Sequence, residues 1–293
     1  LWVSEGMTSY YGGLSMRRAG LTKKDRYLSG WARTIQGYKN NPGYGVSSVS
    51  EVSWEEWSRS FGVPPNTSYS FYSMGNILGL LLDLEIRYLT KNKKSLDDVF
   101  RYLNKNYAQK NRGVPDADFL KAINKVSGKN FDGFFAKYVE GTEAIDWNKY
   151  LNYAGLQLEE KKGKSAPDVY LGISTRGDDK QTTISRVTPD SPAFSAGLDQ
   201  DDILIAIDGR RSHKDNLDKV LKNYQPGDKI KVTILRREHL RDFEVELAAA
   251  KNDNFKIVEI EEPAELQAEI LKSWLNLKEE KEEERKEKTG ESQ

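Results

Sequence analysis

The hydrophobic pattern of this 293-residue chain changes period part-way along, from about 3.6 residues to 2. That break restricts the fold to two unlike units, one helical and one β-rich. In the first 155 residues, apolar side chains recur at helical spacing behind recognisable starts. Thr22-x-x-Asp25 reads as a capping box ahead of Tyr27, Leu28, Trp31, Ile35 and Tyr38. Ser53-x-x-Glu56 opens a short helix with Trp54 and Trp57. Tyr72–Leu89 is apolar nearly all round, as a buried helix is. Ser95-x-x-Asp98 starts a helix with Leu96, Val99, Phe100, Leu103 and Tyr107 on one face. Asp116 or Asp118 begins the next, which Gly128 ends. Phe131, Phe134, Phe135, Tyr138 and Val139 form a further one. No segment in this half alternates as a strand, so an all-α unit is expected.

The run from Glu159 to Pro167 is charged and small, which is the chemistry of a linker that lets its neighbours move. Beyond it Thr182–Val187, Ile203–Asp208, Lys229–Leu235 and Asp242–Leu247 alternate apolar with polar residues. Short helices near Pro192–Ala196 and over Asn216–Tyr224 lie between them, giving a small α+β domain. In the tail, Pro263–Leu277 puts Leu266, Ile270, Leu271 and Trp274 on one helical face. Lys278–Lys288 is an unbroken charged run, expected as a solvated helix extension or disorder.

Composition removes several functions. With no cysteine there is no disulfide framework, iron–sulfur cluster or thiolate zinc site. Lys+Arg and Asp+Glu both number 45, so bulk charge draws the chain to neither nucleic acid nor anionic membrane. The apolar stretch Ile77–Leu89 is too short to span a bilayer and carries Asp83, Glu85 and Arg87. The only histidines are His213 and His239, so a site with several imidazoles cannot be assembled from this sequence alone. Because it opens on Leu1-Trp2-Val3-Ser4-Glu5, within an amphipathic pattern and without a signal peptide, the chain is expected to be a piece of a longer protein.

In the second half, Tyr170-Leu171-Gly172-Ile173 is followed in order by Ser191-Pro192-Ala193, Ala196-Gly197-Leu198, Asp201-Asp202-Ile203-Leu204 and Ile207-Asp208-Gly209. This set resembles a PDZ domain of bacterial proteases. The resemblance implies that the Tyr170–Ile173 loop presents backbone N–H groups to a peptide's C-terminal carboxylate while the peptide adds as a strand. It also implies that Leu217 and Leu221 line the side-chain pocket on the neighbouring helix. His213 lies near the family's groove histidine, about one residue out of register. His239 reads as a hairpin-turn residue.

At the other end, Trp2-x-x-Glu5-Gly6-x-Thr8-x-Tyr10-Tyr11 resembles the segment that carries the third zinc ligand in gluzincin metallopeptidases, in particular the glycyl-aminopeptidase type, which also has a C-terminal PDZ domain. Phe71-Tyr72-Ser73-Met74-Gly75-Asn76, running into Leu82-Asp83-x-x-Ile86-Arg87, resembles the same family. The resemblance implies zinc in the parent protein with Glu5 as ligand, and Tyr72 as hydrogen-bond donor to the developing oxyanion, with Tyr69 as the alternative. The chain departs from the family in having no H-E-x-x-H anywhere. It is therefore expected to be inactive alone and to hold no zinc, its partners being peptides and the N-terminal part of the same protein. The rival expectation is a non-enzymatic PDZ adaptor or a pseudoenzyme. The compartment is left open, a bacterial periplasm or cell envelope being compatible with the resemblance.

The expected architecture is multidomain. The all-α C-terminal half of a thermolysin-like peptidase domain covers residues 1–158, and a linker covers 159–167. A PDZ domain follows at 168–250, then a charged, partly helical or disordered tail at 251–293.

Overall fold

In a computed structural model of the protein, which describes residues 1–59, 69–161, 168–250 and 254–277, the chain enters through one π-helical turn (Trp2–Gly6) into α1 (Met7–Arg18). Helix α2 (Lys24–Lys39) buries Tyr27, Leu28, Trp31, Ala32 and Ile35, the face its periodicity marks. Its N-cap is Lys23 and has no side-chain cap bond, so the expected Thr22 box does not form. Helix α3 (Val49–Arg59) starts four residues ahead of the expected Ser53. Ser48 and Glu51 cap it reciprocally, Ser48 N donating to Glu51 Oε2 at 2.8 Å and Glu51 N to Ser48 Oγ at 3.1 Å.

Helix α4 (Phe71–Leu89) is the axis of this half, buried on nearly every side, with α1, α3 and α5 (Leu96–Asn106) packed around it. The Ser95/Asp98 capping box forms as expected. Asp116, not Asp118, opens α6 (Asp116–Ser127), and Gly128 ends it in the left-handed conformation at φ 65°. Helices α7 (Asp132–Tyr138) and α8 (Trp147–Asn152) complete the bundle.

Two expectations change at this point. Glu159–Lys161, expected in a linker, belong to strand β1 (Leu156–Lys161), so the first half is not purely helical. The remaining linker residues, 162–167, lie outside the described residues.

The β-rich domain follows as β2 (Val169–Tyr170), β3 (Ile173–Gly177), β4 (Thr182–Val187), α9 (Pro192–Ala196), β5 (Ile203–Ile207), β6 (Arg210–Arg211), α10 (Leu217–Leu221), β7 (Lys229–Arg236), β8 (His239–Glu246) and β9 (Ala248–Ala249). The main sheet runs β3-β4-β5-β7-β8 with β6 paired to β5, so β3 is an outer strand. Strands β7 and β8 turn through Arg237 and Glu238, both at positive φ, the backbone of a tight two-residue hairpin. His239 opens β8 opposite Arg236 rather than sitting in the turn. β2 pairs antiparallel with β9, closing the domain where the chain enters and leaves it.

The second change concerns the tail. Strand β10 (Asn254–Glu259) pairs antiparallel with β1, Leu156 opposite Glu259 and Lys161 opposite Asn254, and lies on α2. Helix α11 (Glu265–Leu275) then packs against α4 and α1. Ile257, Ile270, Leu271, Trp274 and Leu275 are buried in the helical core. Residues 254–277 are thus part of the helical domain, and the β-rich domain is inserted between the two strands of its ribbon. The charged run 278–293 lies outside the described residues.

Candidate functional site

Three glycines let α1 and α4 approach closely, two of them backbone to backbone. A Cβ on Gly6 would stand 2.3 Å from Gly75 Cα, and one on Gly75 would stand 2.3 Å from the carbonyl oxygen of Trp2. A Cβ on Gly79 would meet the Tyr10 ring at 2.8 Å. The contact sets Glu5, the residue before Gly6, beside Tyr72, one helical turn before Gly75. Glu5 sits in the π-helical turn, a local form enriched at functional sites. Trp2 N donates to Ser53 Oγ at 3.1 Å, tying that turn to α3 as well.

The Tyr72 phenol is held above its ordinary pKa, first by desolvation, then by the charge of the Glu5 carboxylate and a hydrogen bond to it, with Glu56 of α3 adding a smaller repulsion. Tyr72 nevertheless reaches the surface, 45% exposed. Glu5 and Glu56 thus both act on Tyr72, the three residues coming from three separate elements. Tyr69, the alternative, donates its hydroxyl to Ser47 O at 2.9 Å, and its ring lies 4.3 Å from that of Tyr44.

Behind this surface α1 and α4 are held by buried polar bonds. Asp83 accepts from Tyr10 OH at 2.6 Å, Arg87 Nε at 3.0 Å and Leu96 N at 3.0 Å. Trp274 Nε1 donates to the same Tyr10 hydroxyl at 2.9 Å, and Arg18 Nε donates to Trp274 O at 2.9 Å. Arg18 also holds Asp97. A buried carboxylate with three donors is compensated, and the same bonds fix the tilt of the helices that carry Glu5 and Tyr72.

Sequence reasoning did not assign Glu56, Asp83, Tyr10 or Trp274 to this assembly. Tyr10, Asp83 and Arg87 did carry a signal, since they stand in the two segments that resemble the peptidase family. Among the described residues no group of three His, Cys, Asp or Glu side chains is placed to hold a metal ion. The residues present do not by themselves make the three-ligand zinc site that the resemblance implies.

In the β-rich domain the Tyr170–Ile173 loop links β2 to the outer strand β3. Gly172 has φ +90°, and a Cβ there would lie 2.3 Å from Ser191 Oγ, so glycine is required twice over. Carbonyls of Leu171 and Gly172 accept from Ala193 N and Thr188 N, each at 2.9 Å. Outside the sheet ladders, neither of their own N–H groups donates to a backbone carbonyl among the described residues. Leu217 and Leu221 are buried in the core with Leu171. His213 precedes α10, its N–H donating to Asn216 Oδ1 at 2.8 Å and its ring Nδ1 buried without a partner.

Comparison with known proteins matches two parts of the chain. Residues 1–78 match the family model of M61 glycyl aminopeptidases, and residues 169–247 match that of PDZ domains. No curated protein matches the chain. Its fold is shared with an aminopeptidase N family protein from Idiomarina loihiensis, 24% identical with a TM-score of 0.84, over 94% of this chain and 48% of that one. The chain thus spans about half the length of that protein. Matches limited to 29% of the chain include the HtrA-type protease AlgW with decapeptide (20% identity, TM-score 0.27, 30% of that chain). The serine endoprotease from Yersinia pestis is another (22%, 0.26, 30% of that chain). Residues 1–78 are thus similar to M61 glycyl aminopeptidases and residues 169–247 to PDZ domains, and the fold is that of the matching half of the Idiomarina loihiensis protein.

Proposed function

We propose that this chain is the carboxylate-bearing portion of a zinc-dependent aminopeptidase with a thermolysin-like catalytic domain. Glu5 is one metal ligand, its partner imidazoles coming from an H-E-x-x-H helix outside this sequence. Tyr72 donates a hydrogen bond to the oxyanion that forms on the substrate carbonyl, a role suited to a partly exposed phenol kept protonated by its surroundings. The observation that carries the reading is the approach of Glu5 and Tyr72 across the Gly6–Gly75 contact. These two residues come from separate motifs, 67 positions apart in sequence, to which one family resemblance gives different roles.

The PDZ domain binds peptide termini or strands along β3, with the N–H groups of Leu171, Gly172 and Ile173 at the carboxylate. On this reading the 293-residue chain alone hydrolyses no peptide and binds no zinc tightly, because one carboxylate is too few ligands. The second reading is a PDZ adaptor or pseudoenzyme, and a chain with one candidate ligand is expected on either reading. Zinc content separates the two. A longer polypeptide that includes the residues preceding Leu1 is expected to retain zinc, and Glu5→Ala is expected to remove it; unchanged occupancy in the variant overturns the ligand assignment. Calorimetric titration of the 293-residue chain is expected to reveal no sub-micromolar zinc site.

A further inference from the structure

We propose that an apolar groove next to the Glu5 turn is the seat of the polypeptide that leads into Leu1 in the parent protein. The inference rests on the reading of this chain as one portion of a longer peptidase, and it says where the other portion is held.

The groove has a volume of about 880 Å³ and is walled by the π-helical turn, α3, α5, α6 and the segment between the last two. Its floor is aromatic and well packed: Trp2 meets Phe119 and Phe135 edge-on, with ring centroids 5.7 and 6.0 Å apart. Its rim is apolar and open. Trp54 is 87% exposed, Leu1 44% and Val114 42%, and the three come from separate parts of the chain. Helix α3 buries Val49 and Val52 yet turns Trp54 to solvent. One exposed apolar side chain needs no explanation, but three around a single groove with an apolar floor mark a surface built to be covered.

Three observations point to one occupant. Leu1 stands in the wall, so in the longer protein the residue bonded to its nitrogen starts inside the groove. Ser4 lines the groove too, and Glu5 follows it in the same turn. Bonds from zinc to nitrogen or oxygen are only about 2.0–2.2 Å long, so a helix bringing imidazoles to Glu5 must pack directly against that turn. Finally, this chain spans 48% of the Idiomarina loihiensis protein, so that fold has a second half for which a covering surface is needed. A small apolar molecule would fill the floor but leave the outer faces of Trp54 and Val114 wet. A polypeptide covers floor and rim together.

The sequence holds no cysteine, so single thiols can report on the groove. Trp54→Cys and Val114→Cys, both at exposed positions, are made in the 293-residue chain and in the longer polypeptide that includes the residues preceding Leu1. Maleimide labelling is followed by mass spectrometry of the peptide that carries each site. Leu240→Cys, exposed on β8 of the PDZ domain, is the control. The thiols at 54 and 114 are expected to label about tenfold or more slowly in the longer polypeptide, with the control unchanged. Zinc content with and without Glu5→Ala is measured on the same longer polypeptide. Protection without Glu5-dependent zinc would uphold the groove and overturn the ligand assignment. Glu5-dependent zinc with equal labelling in both polypeptides would overturn this inference alone. If labelling of the 293-residue chain itself slows between about 1 and 100 µM protein, a second copy covers the groove and the inference is likewise overturned.

Discussion

The two domains of this chain are held together by opposite means. The helical domain contains all six tryptophans, a central helix buried on nearly every side, and a charged network closed by residues far apart in sequence. Its Tyr10–Trp274 bond spans 264 positions and passes over the whole inserted domain. The PDZ domain has a core of aliphatic side chains with no buried aromatic, and it closes on itself where β2 meets β9. An insertion joined through two adjacent paired ends can keep its own stability while its host depends on both flanks. Perturbations should therefore sort by domain, and tryptophan fluorescence reports on the helical domain alone.

Alkaline titration should separate the domains most widely. Burial, first among the causes, raises the pKa of Tyr10, Tyr11, Tyr27 and Tyr150 in the helical domain. The unfolded value is near 10, so the folded domain holds these phenol protons more tightly. The stabilisation is complete below pH 10 and is lost as pH climbs from about 10 towards each folded value. In the PDZ domain only Tyr224 is comparable, pushed up to about 12 by burial and by its bond to Asp208. Tryptophan fluorescence should show the helical domain unfolding above pH 10, while NMR amide signals of Ile230–Ile234 persist to higher pH. Simultaneous loss of both signals would break the contrast.

Trp274→Ala is next in size. The side chain is fully buried, and its loss leaves a large cavity and takes a hydrogen bond from Tyr10. Such truncations cost about 3–5 kcal/mol. Denaturant titration should show the helical transition falling by that amount with the PDZ transition unmoved. A PDZ transition that falls equally would mean that the domains unfold as one unit.

What could be read in the sequence follows from how local each signal is. The Ser95/Asp98 cap, the Gly128 stop and the Ser191-Pro192 start of α9 each lie within a few residues, and each stands where it was expected. The β1–β10 ribbon was missed because each strand is short and carries few apolar residues, and its pairing partner lies on the other side of an entire domain. Helix α11 was legible as amphipathic, but nothing in Leu266–Leu277 says which core it covers. Glu5 and Tyr72 were visible only through family resemblance. The backbone contact that unites them is made by two glycines, and a glycine in a helix carries no mark of its partner.

Those glycines allow a smaller, paired test. Gly6→Ala forces a methyl into the Gly75 backbone, where neither chain has a flexible side chain to yield. Gly172→Ala combines a positive φ with a clash against Ser191, whose hydroxyl caps α9 by accepting from Phe194 N. Each should cost about 1–3 kcal/mol, the first in the tryptophan-reported transition and the second in the PDZ amide signals. Equal effects of both variants on both signals would remove the distinction between the domains.

The smallest effect bears on the site itself. Tyr72 is held above its ordinary pKa by desolvation, then by Glu5 through charge and a hydrogen bond, and last by Glu56. Glu5→Gln removes the nearer charge and leaves a side chain that can still hydrogen-bond, so the Tyr72 pKa should fall towards 10 without reaching it while desolvation and Glu56 remain. A Glu5→Gln, Glu56→Gln double variant should bring it lower still. Ring-labelled tyrosine NMR, with the Tyr72 signal assigned through Tyr72→Phe, isolates this titration from the other fourteen tyrosines of the fifteen. Tyr224, in the PDZ domain and bonded to Asp208, should be unchanged and serves as the internal control. A shift confined to Tyr72 would mean that the π-helical turn holds Glu5 against α4 in solution. An unmoved Tyr72 would mean that the two side chains do not meet, and the roles proposed for both would then lose their common support.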